Sequence, residues 1–322
     1  MRRPVNSWAV VSPRGQAEGR AGRTTHSPRS RRTGETTGER PFGNPLCIAK
    51  AGHFLHSAPA DGDAAVMDDL FYPGPFEFRM GLERGEPGAF FCAWPGDEAL
   101  LAKRGQCLAG HPKRHDVLLP EGEPLRAEFT RMLAEWGVAA KPAALGQAIA
   151  PDWLLLQPTA AGMPVLLGGC VCFPSSWAFE EKVGRPLDWI HAVVPTLNEK
   201  LGEKARSFLT KLQLGQAWLR ANWGLTASPE LNQHPALGLP GLTPDVGLEG
   251  VWFRVERQAL VALPETGGIL FGIRLEVVPL ARLRENQPAR AGLLEALETM
   301  PDKIADYKNL TPARGQLIRL LR

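Results

Sequence analysis

The chain has 322 residues, 44% of them hydrophobic, and a formal net charge of +3. That length suits one large domain or two ordinary ones with a sizeable core. The chain holds no apolar run of about 18 residues, which argues against a transmembrane helix. Five cysteines, without a secretory h-region before them, point to a reducing cytoplasm rather than a disulfide framework.

The charge is unevenly spread. Residues 1–66 hold ten Lys/Arg against five Asp/Glu, a net of +5; the rest holds 27 against 29, a net of −2. The basic character belongs to the tail, so the body has no surplus positive charge for nucleic-acid binding. Residues 1–40 are rich in Arg, Gly, Ser and Thr, as in Arg29-Ser30-Arg31-Arg32, and too poor in apolar residues to offset the entropy of ordering. A disordered tail is therefore expected over 1–66. A transit peptide is an alternative, although no amphipathic face is present. A start codon placed too early is another, because Met67 opens a more protein-like stretch.

Residues 67–150 read as irregular chain with some helix, interrupted by Pro73, Pro75, Pro87 and Pro95. The spacing of Leu125, Phe129, Met132, Leu133 and Trp136 predicts a helix over 123–136, with Pro124 in its first turn and Gly137 at its end. Trp153–Gln157 and Val165–Phe173 predict a hairpin of buried strands turning at Ala161-Gly162. Ser176 is read as the cap of a short helix through Val183. Leu197, Leu201, Ala205, Phe208, Leu209 and Leu212 predict a helix over 197–212. Strands follow near 218–226, 250–258 and 269–277, the last marked by alternating Ile269, Phe271, Ile273 and Leu275. Leu293, Leu294 and Leu297 mark a C-terminal helix bounded by Pro301. The order lacks βαβ alternation, so the fold class predicted is α+β with a mainly antiparallel sheet and flanking helices.

Several kinds of chemistry lack their motif. The sequence has no Gly-x-Gly-x-x-Gly or phosphate-binding loop. It has no Cys-x-x-Cys for an iron–sulfur cluster, and no His-Glu-x-x-His or Gly-x-Ser-x-Gly. Electrons for any redox work would come from elsewhere.

Four groups of residues carry candidate chemistry, each with a plainer reading. Cys170 and Cys172 share a strand face and suit metal ligation only with two further partners; buried small hydrophobes are the plainer reading. His111, His115 and Cys107 form a weak metal signal, set against a solvated basic loop around Pro112. His191, within Leu187–Pro195, suits either a satisfied imidazole or an axial ligand to haem iron. On the strands, Arg220 and Asn222 share one face, Arg254 and Glu256 share one, and Arg274 and Glu276 share one. An exposed ion-pair ladder and an anion-binding floor fit that alternation equally.

The stretch Cys172-Phe173-Pro174-Ser175-Ser176-Trp177, then Glu181-Lys182-Val183-Gly184 and Ile190-His191 with Pro195, resembles the haem-dependent oxidative N-demethylase family. The likeness continues through Arg220-Ala221-Asn222-Trp223, Arg254-Val255-Glu256-Arg257-Gln258, Leu263-Pro264 and Phe271-Gly272-Ile273-Arg274. Phe78–Leu82 is similar to the family's opening, so the resemblance spans about residues 76–310. It implies a PAS-like core (151–310) behind an N-terminal extension (67–150), holding one haem b. It also implies O2-dependent demethylation of a small methylated amine such as dimethylamine, with formaldehyde released. NADPH would supply electrons through flavin and iron–sulfur components on partner subunits.

On that resemblance His191 is the expected iron ligand. Arg220, Arg254 and Arg257 are expected at the haem, and Asn222 and Glu256 at the substrate, with Glu256 attracting a cationic amine. The sequence departs from the family pattern at Val193 (for Pro), Ala259 (for Thr) and Leu275-Glu276 (for Thr-Tyr). The last change is expected to bring a new carboxylate into the pocket. A haem-binding sensor or carrier, and a subunit that has lost haem, remain competing readings, since a fold does not fix a function.

Overall fold

A computed structural model describes residues 70–322, apart from Tyr72, Pro73, Ala139, Pro142, Ala143, Ala161 and residues 213–216. The expectations for residues 1–66 lie outside the described residues. The centre is a seven-stranded antiparallel sheet of β1 (Glu83–Gly85), β2 (Asp116–Leu118), β3 (Asp152–Thr159), β4 (Gly162–Cys170), β5 (Ala217–Thr226), β6 (Trp252–Ala262) and β7 (Ile269–Pro279). Their spatial order is β1-β5-β6-β7-β3-β4-β2. The predicted α+β class with an antiparallel sheet and flanking helices is what the structure has.

Helices α1 (Pro87–Phe91), α2 (Asp97–Gly110), α3 (Pro112–His115), α4 (Glu123–Glu135) and α5 (Leu145–Ala148) come before or between the first strands. Phe90, Phe91, Phe129 and Leu133 from this group pack against Trp153, Leu155, Leu219 and Val261 of the sheet. Gly272 permits the approach, since a Cβ there would meet the Phe91 and Phe90 rings at 2.6 and 2.7 Å. Helices α8 (Leu280–Glu285), α9 (Gln287–Thr299), α10 (Asp302–Tyr307) and α11 (Arg314–Leu321) form a second cluster, in which Leu283, Leu293 and Leu317 pack with Phe253 and Val255. Register places Phe253, Val255 and Val261 on one sheet face, because side chains alternate along a strand. Both helical groups therefore lie on that face.

The opposite face carries α6 (Leu187–His191) and α7 (Leu197–Thr210). Leu187, Ile190, Ala205 and Phe208 pack there with Leu154, Leu156, Leu260 and Phe271. The β3–β4 pairing shifts register at Leu155/Leu156. Beside that shift Gly169 has φ 152°, and a Cβ would meet the Trp153 carbonyl oxygen at 2.1 Å, so only glycine fits.

Three expectations are corrected. Ser176 caps no helix: it sits at φ 64°, and 171–185 runs as bends and turns. Among the described residues of 67–150, helix outweighs irregular chain, with 14-residue α2 as the longest element. His115 is not in a solvated loop but ends α3 and is 2% exposed.

Candidate functional site

Strand register sorts the candidate residues. Asn222 lies opposite Glu256, Arg220 opposite Gln258, and Gly224 opposite Arg254. Directly opposed residues of an antiparallel pair share a face, so Arg220, Asn222, Arg254, Glu256 and Gln258 line the face that α6 and α7 cover in part. Arg257 lies on the other face, opposite Ala221 and Arg274. There its Nε donates to Glu276 Oε1 at 2.6 Å. The expected set of haem-contacting arginines is thus split, because 254 and 257 differ by an odd number of residues. The same alternation keeps Glu276 out of this face, correcting the expectation of a new pocket carboxylate. Leu275, opposite Glu256, is the changed residue that does reach it. Ala259 is buried on the other face, and Val193 is 50% exposed.

Glu256 is held by short-chain polar groups. Ser175 Oγ donates to its Oε1 at 2.6 Å, and Gln258 Nε2 to its Oε2 at 3.0 Å. Arg254 then fixes the serine, donating to Ser175 Oγ from Nε at 3.3 Å and Nη2 at 3.1 Å. The same guanidinium donates to the Glu230 carbonyl at 2.9 Å and the Leu231 carbonyl at 3.0 Å. Arg254 is 3% exposed, and burial pulls its pKa down to about 10, which leaves it charged at neutral pH. Four of its five N–H donors go to protein acceptors. Arg254 therefore clamps the Pro174–Ser176 and Glu230–Leu231 loops onto β6.

Sequence reasoning missed Lys308. Its Nζ donates to the Trp223 carbonyl at 2.8 Å and lies 4.8 Å from that indole's centre. Burial lowers its pKa to about 8, against the opposing pull of Glu256. Burial raises the Tyr307 pKa, and the Glu256 charge adds to the effect. No local signal marks either residue, because both arrive from α10 and the turn after it.

His191 ends α6, half-buried. Burial lowers its pKa, the Arg220 charge lowers it further, and Asp188 opposes both. The imidazole is therefore neutral at physiological pH, the form that ligates metals. Among the described residues its ring makes no hydrogen bond or ion pair. Ile190, Phe208, Leu260, Phe271 and Ile273 supply partly buried apolar surface on the same side of the sheet. A neutral histidine without a protein partner, an arginine whose field reaches it, and apolar walls fit a haem. Of the proposed contacts, Arg220 and Arg254 lie on the face that carries these walls, with Arg254 bound mostly to protein, and Arg257 lies on the other face.

The other candidates resolve otherwise. Cys170 and Cys172 are both 0% exposed, with sulfurs 3.9 Å apart. His115 Nδ1 donates to the Val171 carbonyl at 2.8 Å, leaving Nε2 toward Asn232 Nδ2 at 3.5 Å. No group of three or more His, Cys, Asp or Glu among the described residues is placed to hold a metal ion. Among them, too, no helix is long and apolar enough to cross a membrane.

The model of the family described as haem-dependent oxidative N-demethylase, alpha subunit-like, matches residues 101–318. The matched span contains every candidate site residue, begins after Phe78–Leu82 and runs past residue 310. It covers well over half of the 322 residues. The chain belongs to the haem-dependent oxidative N-demethylase alpha subunit-like family.

Proposed function

We propose that this chain is the haem-bearing oxygenase subunit of a multi-component oxidative N-demethylase. The observation that carries the reading is His191: neutral, partnerless among the described residues, and within the field of Arg220. His191 would hold the iron and Arg220 a propionate of a haem b. When bound, the haem would supply the site for dioxygen activation, which apolar side chains do not offer.

The chain's own groups do the rest. Glu256 would attract the ammonium form of a small methylated amine, such as dimethylamine, and accept its proton at a carboxylate oxygen. Ser175 and Gln258 hold that carboxylate in place, and Asn222 on the neighbouring strand offers an amide to the substrate. One oxygen atom of O2 ends in formaldehyde and the other in water. The two electrons required come from NADPH through flavin and iron–sulfur partner subunits, for which this chain has no motif. Leu275, in place of a hydroxyl-bearing residue, makes this pocket less polar than the family pattern. We also assign a PAS-like core to 151–310 and an N-terminal extension to 67–150. Four described cysteines are free thiols, which supports a reducing cytoplasm.

The test is an ultraviolet–visible spectrum of the chain expressed with haem precursor, followed by amine turnover with a reductase. A stoichiometric Soret band and formaldehyde release are expected. His191→Ala should lose the band or shift it, and Arg220→Ala should weaken haem affinity by about 1.5–3 kcal/mol, the value of a charged hydrogen bond. A well-folded, colourless protein that takes up no added haem would overturn the reading. A Soret band without turnover of any small methylated amine would favour a sensor or carrier.

A further inference from the structure

Three thiols meet behind the segment that carries Ser175. Cys107 comes from α2, Cys170 ends β4, and Cys172 follows two residues later. Cys107 Sγ lies 3.8 Å from the Cys172 carbonyl oxygen, and the Cys172 thiol lies 3.9 Å from that of Cys170. Asn232 Nδ2 donates to Cys107 Sγ at 3.6 Å. Arg104 Nη2 donates to Cys170 Sγ at 3.1 Å. Cys170 and Cys172 are sealed, whereas Cys107 is half-buried and open to a small solute.

The environment separates the thiols chemically. Hydrogen bonds from Cys172 and Asn232, helped by the Arg104 charge, bring the Cys107 thiol down to about 7, although burial and Asp152 oppose them. Cys172 is pushed up by its two thiol neighbours and by burial. One reachable thiolate beside a protonated, shielded thiol is the arrangement of an attacking and a resolving cysteine. The substrate chemistry plays no part in this.

We propose that Cys107 is a hydroperoxide-sensitive modification site and that Cys172 is its resolving partner. The Cys107 thiolate attacks the peroxide O–O bond, takes one oxygen to become a sulfenic acid, and expels the other as hydroxide. Cys172 sulfur then attacks the Cys107 sulfur. The S–O bond breaks, the Cys172 proton leaves with that oxygen as water, and an S–S bond forms. The two sulfurs together lose two electrons, and the peroxide gains them. The bridge ties α2 to the segment that presents Ser175 to Glu256.

The experiment uses the full chain in a Cys47→Ser background, treated with hydrogen peroxide. Loss of two thiols, a Cys107–Cys172 linked peptide and recovery with dithiothreitol are expected. Cys107→Ser should slow thiol loss by about tenfold or more, as expected when the reactive thiolate is removed. Cys172→Ser should leave a sulfenic acid at Cys107 that dimedone traps, and Cys170→Ser should still form the bridge. In the chain with both cysteines kept, Cys107 alkylation by iodoacetamide should rise with a midpoint near 7. The charged and titratable groups that set it are Cys172, Asp152 and Arg104, with His115 behind Asn232. A bridge between other cysteines, unchanged thiol loss in Cys107→Ser, or an alkylation midpoint at an ordinary thiol value would each overturn the proposal.

Discussion

The two faces of the β5–β6–β7 sheet carry similar charges and use them differently. On the face packed against α1 and α2, Arg274 donates from Nη1 to Asp97 at 3.0 and 3.1 Å and from Nε to the Phe90 carbonyl at 2.7 Å. The neighbouring Arg257 holds Glu276 on that face. On the opposite face Glu256 takes its hydrogen bonds from Ser175 and Gln258, and His191 stays neutral near Arg220. One face matches cation to anion with full geometry, as a buried pair must to recover its desolvation cost. The other holds a carboxylate whose direct hydrogen-bond donors are neutral, with the Arg254 and Lys308 charges acting on it through space. Charge on the first face is paired directly, ion to ion; the carboxylate on the second is held in place by neutral groups.

The sharpest way to break that comparison is to remove one member of a buried pair. Asp97→Ala strands the Arg274 guanidinium, 4% exposed, on the helix-covered face. A loss of about 3–5 kcal/mol is expected, read by urea denaturation, with the haem spectrum of the folded protein unchanged. A loss below about 1 kcal/mol would place this pair with exposed bridges.

Arg254→Met should cost less, about 2–3 kcal/mol, since it leaves carbonyl acceptors and Ser175 without their donor. Unlike the first change it should also disturb amine turnover, because Ser175 positions Glu256. Arg257→Gln should cost about 1–2 kcal/mol and leave haem affinity as it was. A fall in haem affinity with Arg257→Gln would return this arginine to the site and undo the separation of the two faces.

Much of the sheet was legible in the sequence. Alternation at Ile269–Leu275 predicted β7, the paired apolar runs predicted the β3–β4 hairpin, and helical spacing predicted α4 and α7. Short or weakly patterned elements were not legible. β1 and β2 have three residues each and gain their pairing only from β5 and β4. The sequence of α2, with Gly105 and Lys103-Arg104 in its middle, has little apolar periodicity to announce it. Arg104 reads as a solvated helix charge, yet it is 0% exposed and pairs with Asp152, which also accepts from the Cys172 and Phe173 amides at 2.8 and 3.0 Å. Only the fold brings those groups together. In the site, alternation already sufficed to separate Arg257 from Arg254 and Glu256; the motif grouped residues that the pleat divides. His191 stood out by its apolar context, but its lowered pKa comes first from burial and then from Arg220, 29 residues later in the chain.

That dependence gives the smallest and most specific expectation. Burial and Arg220 lower the His191 pKa from 6.5, so the folded chain binds this proton more weakly than the unfolded chain does. The sign follows from linkage: the stability tied to His191 is complete above 6.5 and is lost as pH falls below it toward the folded value. His115, lowered chiefly by burial, adds to the same slope, so His191→Gln should flatten it only in part. Iron ligation competes with the same proton. Haem uptake should therefore hold steady from neutral pH down to 6.5 and decline only below. Arg220→Ala removes a positive charge from the imidazole's surroundings and should move that decline upward. A decline centred above 6.5 in the unmodified chain, or one that Arg220→Ala leaves in place, would show that His191 does not sense Arg220. The contrast between the two faces would then fail at the residue where it matters most.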